Sequence, residues 1–317
     1  MRIFHILPIA VTLFTLSSCS KELSLKTISF DASTAQNNYT PDDTIRFNLS
    51  GNADYVTFYS GLPGNRYKYS NRTSASGTPI LLFTSARANG TQPNSLKIMV
   101  SSDFNGLGTD TATTLANISA ANWKDFTDKA TLSTGTAVSS GPINLTDMAN
   151  TNKPVYIAFK YLATSGSKQN KWTITALTIN NTLPDNTSYL IANLNAYNTA
   201  ITNYGATTYS PGWVSYTAVN TYNWAISAGT SLVITGATTP ELATDNAEAW
   251  VIMGPLDLKK VSPDWGTPIK NVGENISKFP YTYQYATPGA YEVTFLASNA
   301  NRDKQDSIVK TIQLTVH

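Results

Sequence analysis

Residues 283–299 have the sequence YQYATPGAYEVTFLASN, in which a Pro-Gly turn precedes a segment that alternates apolar and polar residues from Tyr291 onwards. Strict alternation places one set of side chains in a core and the other set in water, which predicts a half-buried β-strand. Tyr291 is expected to pack at the corner where this strand begins, as a tyrosine does in related β-sandwiches.

The same alternation recurs along much of the chain, and turn sequences rich in Gly, Pro and Asn separate the alternating runs. Many short strands divided in this way predict antiparallel β-sandwiches, so the predicted fold class is all-β. Short helices are expected only near residues 120–129 and 193–202, where helix-forming residues cluster. The clearest alternating runs are residues 45–49, 155–161, 172–174, 291–295 and 312–316.

The two chain ends are predicted to form one domain. Residues 282–316 supply only three or four strands, which are too few for a stable two-sheet sandwich. The amino-terminal region supplies further predicted strands, at residues 25–30, 44–49 and 54–59. We therefore expect an immunoglobulin-like sandwich from residues 19–70 and 257–317, with residues 71–256 inserted as a jelly-roll sandwich, because insertion is tolerated where loop ends lie close together. The alternative is two or three sandwiches in series.

The amino terminus has the pattern of an export signal. Met1 and Arg2 precede an apolar run over residues 3–16, which is shorter than the roughly 20 residues that a membrane-spanning helix needs. Small residues then precede Cys19, as in the lipobox of bacterial lipoproteins. The pattern predicts that residues 1–18 are a signal peptide and that acylated Cys19 anchors the protein to a membrane. The alternative is an ordinary secretory signal in which this cysteine is incidental.

Composition excludes several classes of function. The only histidines are His5, in the predicted signal peptide, and His317, the last residue, and the only cysteine is Cys19, which is expected to be acylated. The predicted mature chain therefore has no interior histidine and no thiol for Ser-His-Asp or Cys-His catalysis or for zinc sites built from His or Cys. A net charge of +2 without clustered Lys and Arg argues against nucleic-acid binding.

Chemistry by paired carboxylates is the catalytic route that composition leaves open. Glycoside hydrolysis needs two carboxyl groups about 5–9 Å apart. Most of the 20 acidic residues lie in turn-like contexts, and no such pair can be named. Glu248 lies near apolar sequence beside Trp250, but its strand position is expected to face solvent. The chain is therefore predicted not to be an enzyme.

The six tryptophans and 17 tyrosines are the strongest candidates for ligand contact. A sugar ring has an apolar face that stacks on an aromatic side chain, while neighbouring amides and carboxylates bind its hydroxyls. Trp172, Trp224 and Trp250 lie within or near alternating strands and are predicted to be core residues.

Trp213 follows Pro211-Gly212 in a stretch rich in Thr, Ser and Gly, which predicts an aromatic platform on a loop. Its alternative role is a loop anchor packed on the sandwich edge. For Trp265 the alternative role is to pack between the two predicted domains. The candidate ligand-binding residues are Trp213, Tyr209, Tyr216, Trp123 and Trp265.

A weak calcium motif lies in residues 103–110. Asp103, Asn105 and Asp110 place oxygen ligands at intervals beside glycines, and calcium takes six to eight oxygens. The terminal glutamate of a true calcium loop is missing, so the alternative is a set of Asx-type turns.

Four motifs together resemble a family of uncharacterised Bacteroidetes lipoproteins, often found with SusC/SusD-type glycan-uptake systems. The resemblance covers nearly the whole predicted mature chain, and it implies an immunoglobulin-like part, similar in residues 282–316 to the PKD family, and a jelly roll similar to carbohydrate-binding modules. It carries over no catalytic residues. In such lipoproteins an acidic residue soon after the lipidated cysteine, here Glu22, is associated with export to the cell exterior. The motifs are residues 51–54 (GNAD), 58–61 (FYSG), 249–252 (AWVI) and 263–266 (PDWG).

We therefore expect a lipoprotein on the outer face of the outer membrane that binds extracellular glycan without catalysis and supports its uptake. Its expected partners are a polysaccharide, the membrane through the lipid anchor, and a SusC/SusD-type complex. No cofactor is expected apart from the calcium considered above. The alternatives are a structural or adhesive lipoprotein that binds another protein and, less favoured, a glycoside hydrolase.

Overall fold

The computed structural model describes residues 24–106, 108, 110–197, 212–227, 229–276 and 280–317. The fold of these residues is all-β, as the sequence predicts. The strands are β1 (Phe30–Ser33), β2 (Asn38–Tyr39), β3 (Ile45–Gly51), β4 (Tyr55–Tyr59), β5 (Thr78–Asn89), β6 (Leu96–Ser101), β7 (Lys124–Asp125), β8 (Val138–Ser139), β9 (Ile143–Asn144), β10 (Val155–Ala163), β11 (Asn170–Thr182), β12 (Ser188–Asn193), β13 (Trp213–Val219), β14 (Ala225–Ser227), β15 (Ser231–Thr235), β16 (Ala247–Leu256), β17 (Thr267–Lys270), β18 (Tyr281–Tyr283), β19 (Gly289–Ala300) and β20 (Gln305–Val316).

The helices of the described residues are short. They are α1 (Thr111–Ala120), α2 (Thr146–Ala149) and single 3-10 turns at Tyr67–Tyr69, Thr127–Lys129 and Leu194–Tyr197. Near residues 120–129 the structure has only the end of α1 and the 3-10 turn Thr127–Lys129. A longer helix does not form there, because Phe126 is buried and its N–H donates to Ile98 O at 2.8 Å. The Leu194–Tyr197 turn falls within the other predicted helix, whose remainder lies outside the described residues. None of the described helices has the length and apolar character needed to cross a membrane.

The chain divides into two compact units. The first combines the described residues up to Tyr67 with Gly266–His317, and the second is Lys68–Trp265. Residues 257–265 belong to the second unit rather than to the chain ends, because backbone N–H groups of Val261 and Asp264 donate to Thr73 O and Tyr69 O, both at 3.0 Å.

The first unit is a sandwich built from strands of both chain ends. Its sheets have the orders β1-β3-β18 and β17-β4-β19-β20-β2, and β4 pairs with β19 so that Phe58 lies opposite Phe295. Both rings, with Phe47 from the other sheet, lie in one core. Tyr291 is buried at the start of β19 and donates its hydroxyl to Thr287 O at 2.7 Å, the corner position expected of it.

The second unit is a larger sandwich. One sheet has the order β13-β16-β10-β6-β7, and the seven-stranded sheet follows the order β14-β15-β11-β5-β8, with β12 and β9 paired to β11 and β5. The two sheets share a core in which Phe159 of the first sheet contacts Phe83 of the second edge-to-face, with ring centroids 5.1 Å apart. The five-stranded sheet carries the candidate site on its opposite face.

Candidate functional site

The five-stranded sheet of the second unit, β13-β16-β10-β6-β7, has two faces with different compositions. From here on, "the five-stranded sheet" means this sheet. On β10 and β16 alternate residues fill the core, and the residues between them point outward. A separate apolar cluster lies on this outward side and includes Phe104, Ile118, Ala158, Trp250 and Ile252. Trp123, Tyr156 and Tyr216 are partly buried and pack against this cluster. We refer to Trp123, Tyr156, Tyr216 and Trp250 as the aromatic face.

Helix α1 and the segment after it hold part of the aromatic face in place. Asp110 caps the helix by accepting a hydrogen bond from Thr113 N at 2.7 Å, and Ile118 on its inner side is buried in the cluster. The Trp123 indole N–H donates to Ile118 O at 3.0 Å. The Trp123 and Trp250 ring centroids are 5.2 Å apart.

Phe104 connects Trp123 to Tyr156. Its ring centroid lies 5.3 Å from that of Trp123 and 4.9 Å from that of Tyr156, with the Tyr156 ring nearly perpendicular to it. These are favourable aromatic geometries. Burial raises the pKa of the Tyr156 phenol, so this hydroxyl stays protonated at neutral pH.

An ion pair lies beside the aromatic face. Lys160 Nζ is 3.0 Å from Glu248 Oε1, and the Trp250 indole N–H donates to the same oxygen at 2.8 Å. Lys160 Nζ also lies 4.9 Å from the Trp250 ring centroid, within cation–π range. The Lys160 and Glu248 side chains are 21% and 28% exposed, so both charges remain accessible to a ligand.

Glu248 also lines an open cleft of about 350 Å³. The cleft contains apolar and polar groups at one end of the five-stranded sheet. Tyr216 is not one of the cleft residues; it pairs across strands with Trp250, two positions from Glu248, whose own partner is the cleft residue Val219. Asn246 accepts a hydrogen bond from Ser165 N at 2.9 Å, which fixes its side chain. The cleft residues include Leu162, Thr164, Val219, Asn246 and Glu248.

A second ion pair lies beside the first, because Lys97 is the cross-strand partner of Lys160. Lys97 Nζ is 2.8 Å from Asp125 Oδ2, and Thr127 N donates to Asp125 Oδ1 at 2.9 Å. Burial raises the pKa of Asp125, but hydrogen bonds from Lys97 and Thr127 and the lysine charge outweigh that effect, so its pKa lies below the ordinary value.

The prediction that Trp213 forms a surface platform is wrong. Trp213 is the first residue of β13, pairs with Met253 of β16 and is completely buried in the core. Its ring stacks with that of Phe159 at a centroid distance of 6.0 Å. Trp213 and Tyr216 are three positions apart on one strand, so alternation sends them to opposite faces.

The other predicted aromatics have separate locations. Tyr216 and Trp123 belong to the aromatic face, Tyr209 lies outside the described residues, and Trp265 is 74% exposed at the end of the second unit. The predicted core positions of Trp172, Trp224 and Trp250 are confirmed, since each is 3% exposed. The predicted signal peptide and Cys19 lie outside the described residues.

The carboxylates of the calcium motif already have protein partners. Asp103 accepts hydrogen bonds from Ser101 Oγ at 2.6 Å and Asn122 N at 2.9 Å. Asp110 caps α1, and its bonds with the Thr113 N–H and hydroxyl lower the pKa of its carboxyl group. Within the described part of the chain, no group of three or more His, Cys, Asp or Glu side chains is placed to hold a metal ion. The turn and cap roles match the alternative expectation, and a calcium site at Asp103, Asn105 and Asp110 stays a prediction.

Tyr156 and Lys160 belong to the site but are not among the predicted site residues. The alternation of residues 155–161 predicts Val155, Ile157 and Phe159 as core residues. The alternate positions of the same strand face outward and include an aromatic residue, Tyr156, and a cation, Lys160. This pattern was the sequence signal for an outward-facing site.

Comparison with curated proteins and with solved structures gives no match. Residues 18–199 match the model of the family described as Domain of unknown function (DUF5017), and this match spans more than half of the 317 residues. The chain therefore belongs to the DUF5017 family.

Proposed function

We propose that this protein is a non-catalytic, surface-exposed lipoprotein that binds extracellular glycan through its aromatic face. The observation that supports the proposal is the position of Tyr216: it is partly exposed and pairs across strands with Trp250. The Trp250 indole bonds Glu248, which lines the cleft together with Asn246. A flat aromatic ring next to a carboxylate and an amide is the combination that a pyranose ring requires.

In this proposal each group has a defined role. The Tyr216 ring stacks on the apolar face of a sugar, and Glu248 and Asn246 bind hydroxyls at the ring edge. Trp250 stays beneath the surface and orients Glu248 through its indole N–H. Trp123 and Tyr156 extend the aromatic face past Trp250 and offer room for a further sugar unit of a polysaccharide.

The lipid anchor at Cys19 would hold this binding surface at the outer face of the outer membrane. Confinement there raises the local concentration of captured glycan for a neighbouring transporter of the SusC/SusD type. In this arrangement the first unit serves as an immunoglobulin-like or PKD-like spacer, and the second serves as a jelly roll of the carbohydrate-binding kind.

Calorimetric titration of the protein against a panel of soluble polysaccharides tests the proposal. Once a binding polymer is found, Tyr216→Ala should weaken binding at least about fivefold, because an aromatic contact is worth about 1 kcal/mol beyond its area. Tyr55→Ala is the matched control, since it removes a 42% exposed tyrosine ring from the first unit. The proposal is contradicted if the folded protein binds no member of the panel, or if the two variants bind equally well.

A protein-binding role is the second candidate. The outward side of the seven-stranded sheet carries Leu82 and Leu190, which are 39% and 53% exposed, and exposed apolar groups on one face favour association with a protein surface. Adhesion of cells that display the protein distinguishes the two roles. Loss of adhesion in Leu190→Lys, with no effect of Tyr216→Ala, supports the adhesive role.

A further inference from the structure

The charges on the strands beneath the aromatic face are balanced. On strands β6, β7, β10, β13 and β16, the charged side chains that face outward are Lys97, Asp125, Lys160 and Glu248. They form two ion pairs, with nitrogen–oxygen distances of 2.8 and 3.0 Å. Each of these two strand lysines therefore has a carboxylate partner.

The remaining lysine on these strands does not alter this balance. Lys124 is the cross-strand partner of Val100, which lies in the core, so Lys124 is on the opposite side of the sheet. On the edge strand β13, the outward positions 214, 216 and 218 carry uncharged Val, Tyr and Ala.

We infer that the aromatic face selects uncharged glycans and discriminates against acidic ones; this inference rests on the proposed function. A uronate or sulfate group at the cleft would have to compete with Glu248 for Lys160. If the acidic group displaced Glu248 from Lys160, the half-buried Glu248 carboxylate would lose its cation and would lie next to a second anion. Both the loss of the cation and the repulsion between the anions cost free energy.

A neutral sugar meets no such cost. Lys160 Nζ and the Trp250 indole N–H both bond Oε1 of Glu248, so Oε2 can accept a hydroxyl from a ligand in the cleft. A carboxylate has about four acceptor sites, so the ion pair and a sugar hydroxyl can be satisfied together. Glu248 therefore both attracts hydroxyls and repels acidic groups, which is specificity by a built-in repulsive element.

Titration with chemically matched polymers tests the inference. The neutral polysaccharide that binds best in the panel is compared with its own carboxymethyl and hydroxyethyl derivatives at equal substitution, so that the two derivatives differ mainly in charge. We expect the carboxymethyl polymer to bind at least about tenfold more weakly than the hydroxyethyl polymer at low salt, with the gap narrowing at 1 M NaCl.

Two substitutions assign the discrimination to the ion pair. Glu248→Gln removes the anion and releases Lys160, so the Kd of the carboxymethyl polymer divided by the Kd of the hydroxyethyl polymer should fall to about one. Lys160→Gln should increase this ratio severalfold. Asp31→Asn is the control, because Asp31 pairs with Lys310 at 2.7 Å in the first unit. Far-ultraviolet circular dichroism verifies that each variant is folded.

The outcomes separate this inference from the proposed function. Binding of the carboxymethyl polymer as tight as that of the hydroxyethyl polymer, or an unchanged ratio in Glu248→Gln, overturns the selectivity and leaves glycan binding in place. No binding by any polymer, neutral or acidic, overturns both.

Discussion

The two faces of the five-stranded sheet use the same residue types for different purposes. On the core face Trp213 is completely buried and stacks on Phe159, while on the outward face Trp250 lies under a layer that includes Lys160 and Trp123. Trp213 stacks on an apolar ring, whereas Trp250 also contacts the charged groups of Lys160 and Glu248. The parity of a tryptophan's strand position on this sheet therefore decides which of the two apolar clusters the tryptophan joins.

This difference also separates neighbours in sequence from neighbours in space. Trp213 and Tyr216 are close in sequence but lie on opposite faces, whereas Tyr216 and Trp250 are 34 positions apart and are cross-strand partners. Aromatic clustering along a strand is thus a poor guide to a binding surface. Aromatic residues form a surface when they lie side by side on neighbouring strands, and the register between the strands decides which residues do so.

Replacing the inner tryptophan should give the largest effect on stability. Trp213→Ala leaves a large cavity in a close-packed core and is expected to lower the free energy of unfolding by about 3–5 kcal/mol. Denaturant unfolding monitored by circular dichroism measures the change. Trp265→Ala, which removes a 74% exposed side chain, should stay within about 0.5 kcal/mol of wild type. Equal losses in the two variants would mean that Trp213 is not a core residue.

The outer tryptophan should have an intermediate effect. Trp250 is 3% exposed, but its neighbours Trp123 and Tyr216 are only partly buried and can relax into the vacated space. We expect Trp250→Ala to cost about 2 kcal/mol, including about 1 kcal/mol for its indole hydrogen bond to Glu248.

Trp250→Phe sharpens this comparison, because it keeps an aromatic ring and removes that hydrogen bond. It should lose about half as much stability as Trp250→Ala and should also weaken glycan binding by freeing Glu248. A loss in Trp250→Ala as large as that in Trp213→Ala would show that the two faces are equally rigid, which contradicts the distinction between them.

Sequence patterns predict the fold well because alternation reports burial directly. The run from Val155 to Tyr161 predicts its own core residues, and the pairing of distant ends follows from a strand count that no single end satisfies. Strand boundaries are harder to predict from the sequence. A strand is predicted at 25–30, but the strand in the structure is β1, Phe30–Ser33, because pairing with β3 decides which residues are extended.

The candidate site is less predictable than the fold. Tyr216 and Trp123 are identifiable as outward aromatics, but the ion pair of Lys160 with Glu248 depends on the register between β10 and β16. Residues 88 positions apart on two strands give no local signal of such contact. Trp213 failed for a related reason: the Pro-Gly sequence before it indicates a turn, but does not show that a strand starts at the next residue.

The smallest effect is expected at the outward ion pair of Lys97 and Asp125. These side chains are 36% and 41% exposed, so Asp125→Asn should cost only about 0.5 kcal/mol at pH 7. Because the folded-state pKa of Asp125 lies below its unfolded value, its contribution is present above about pH 4 and is lost as the pH falls through the folded-state pKa. Unfolding free energies of wild type and Asp125→Asn should therefore converge as the pH is lowered from 5 to 2.

A Lys97→Met background is the control. In it the difference in unfolding free energy caused by Asp125→Asn at pH 7 should shrink, since the cation is gone. A gap that persists unchanged at pH 2 would assign the effect to packing rather than to the ion pair.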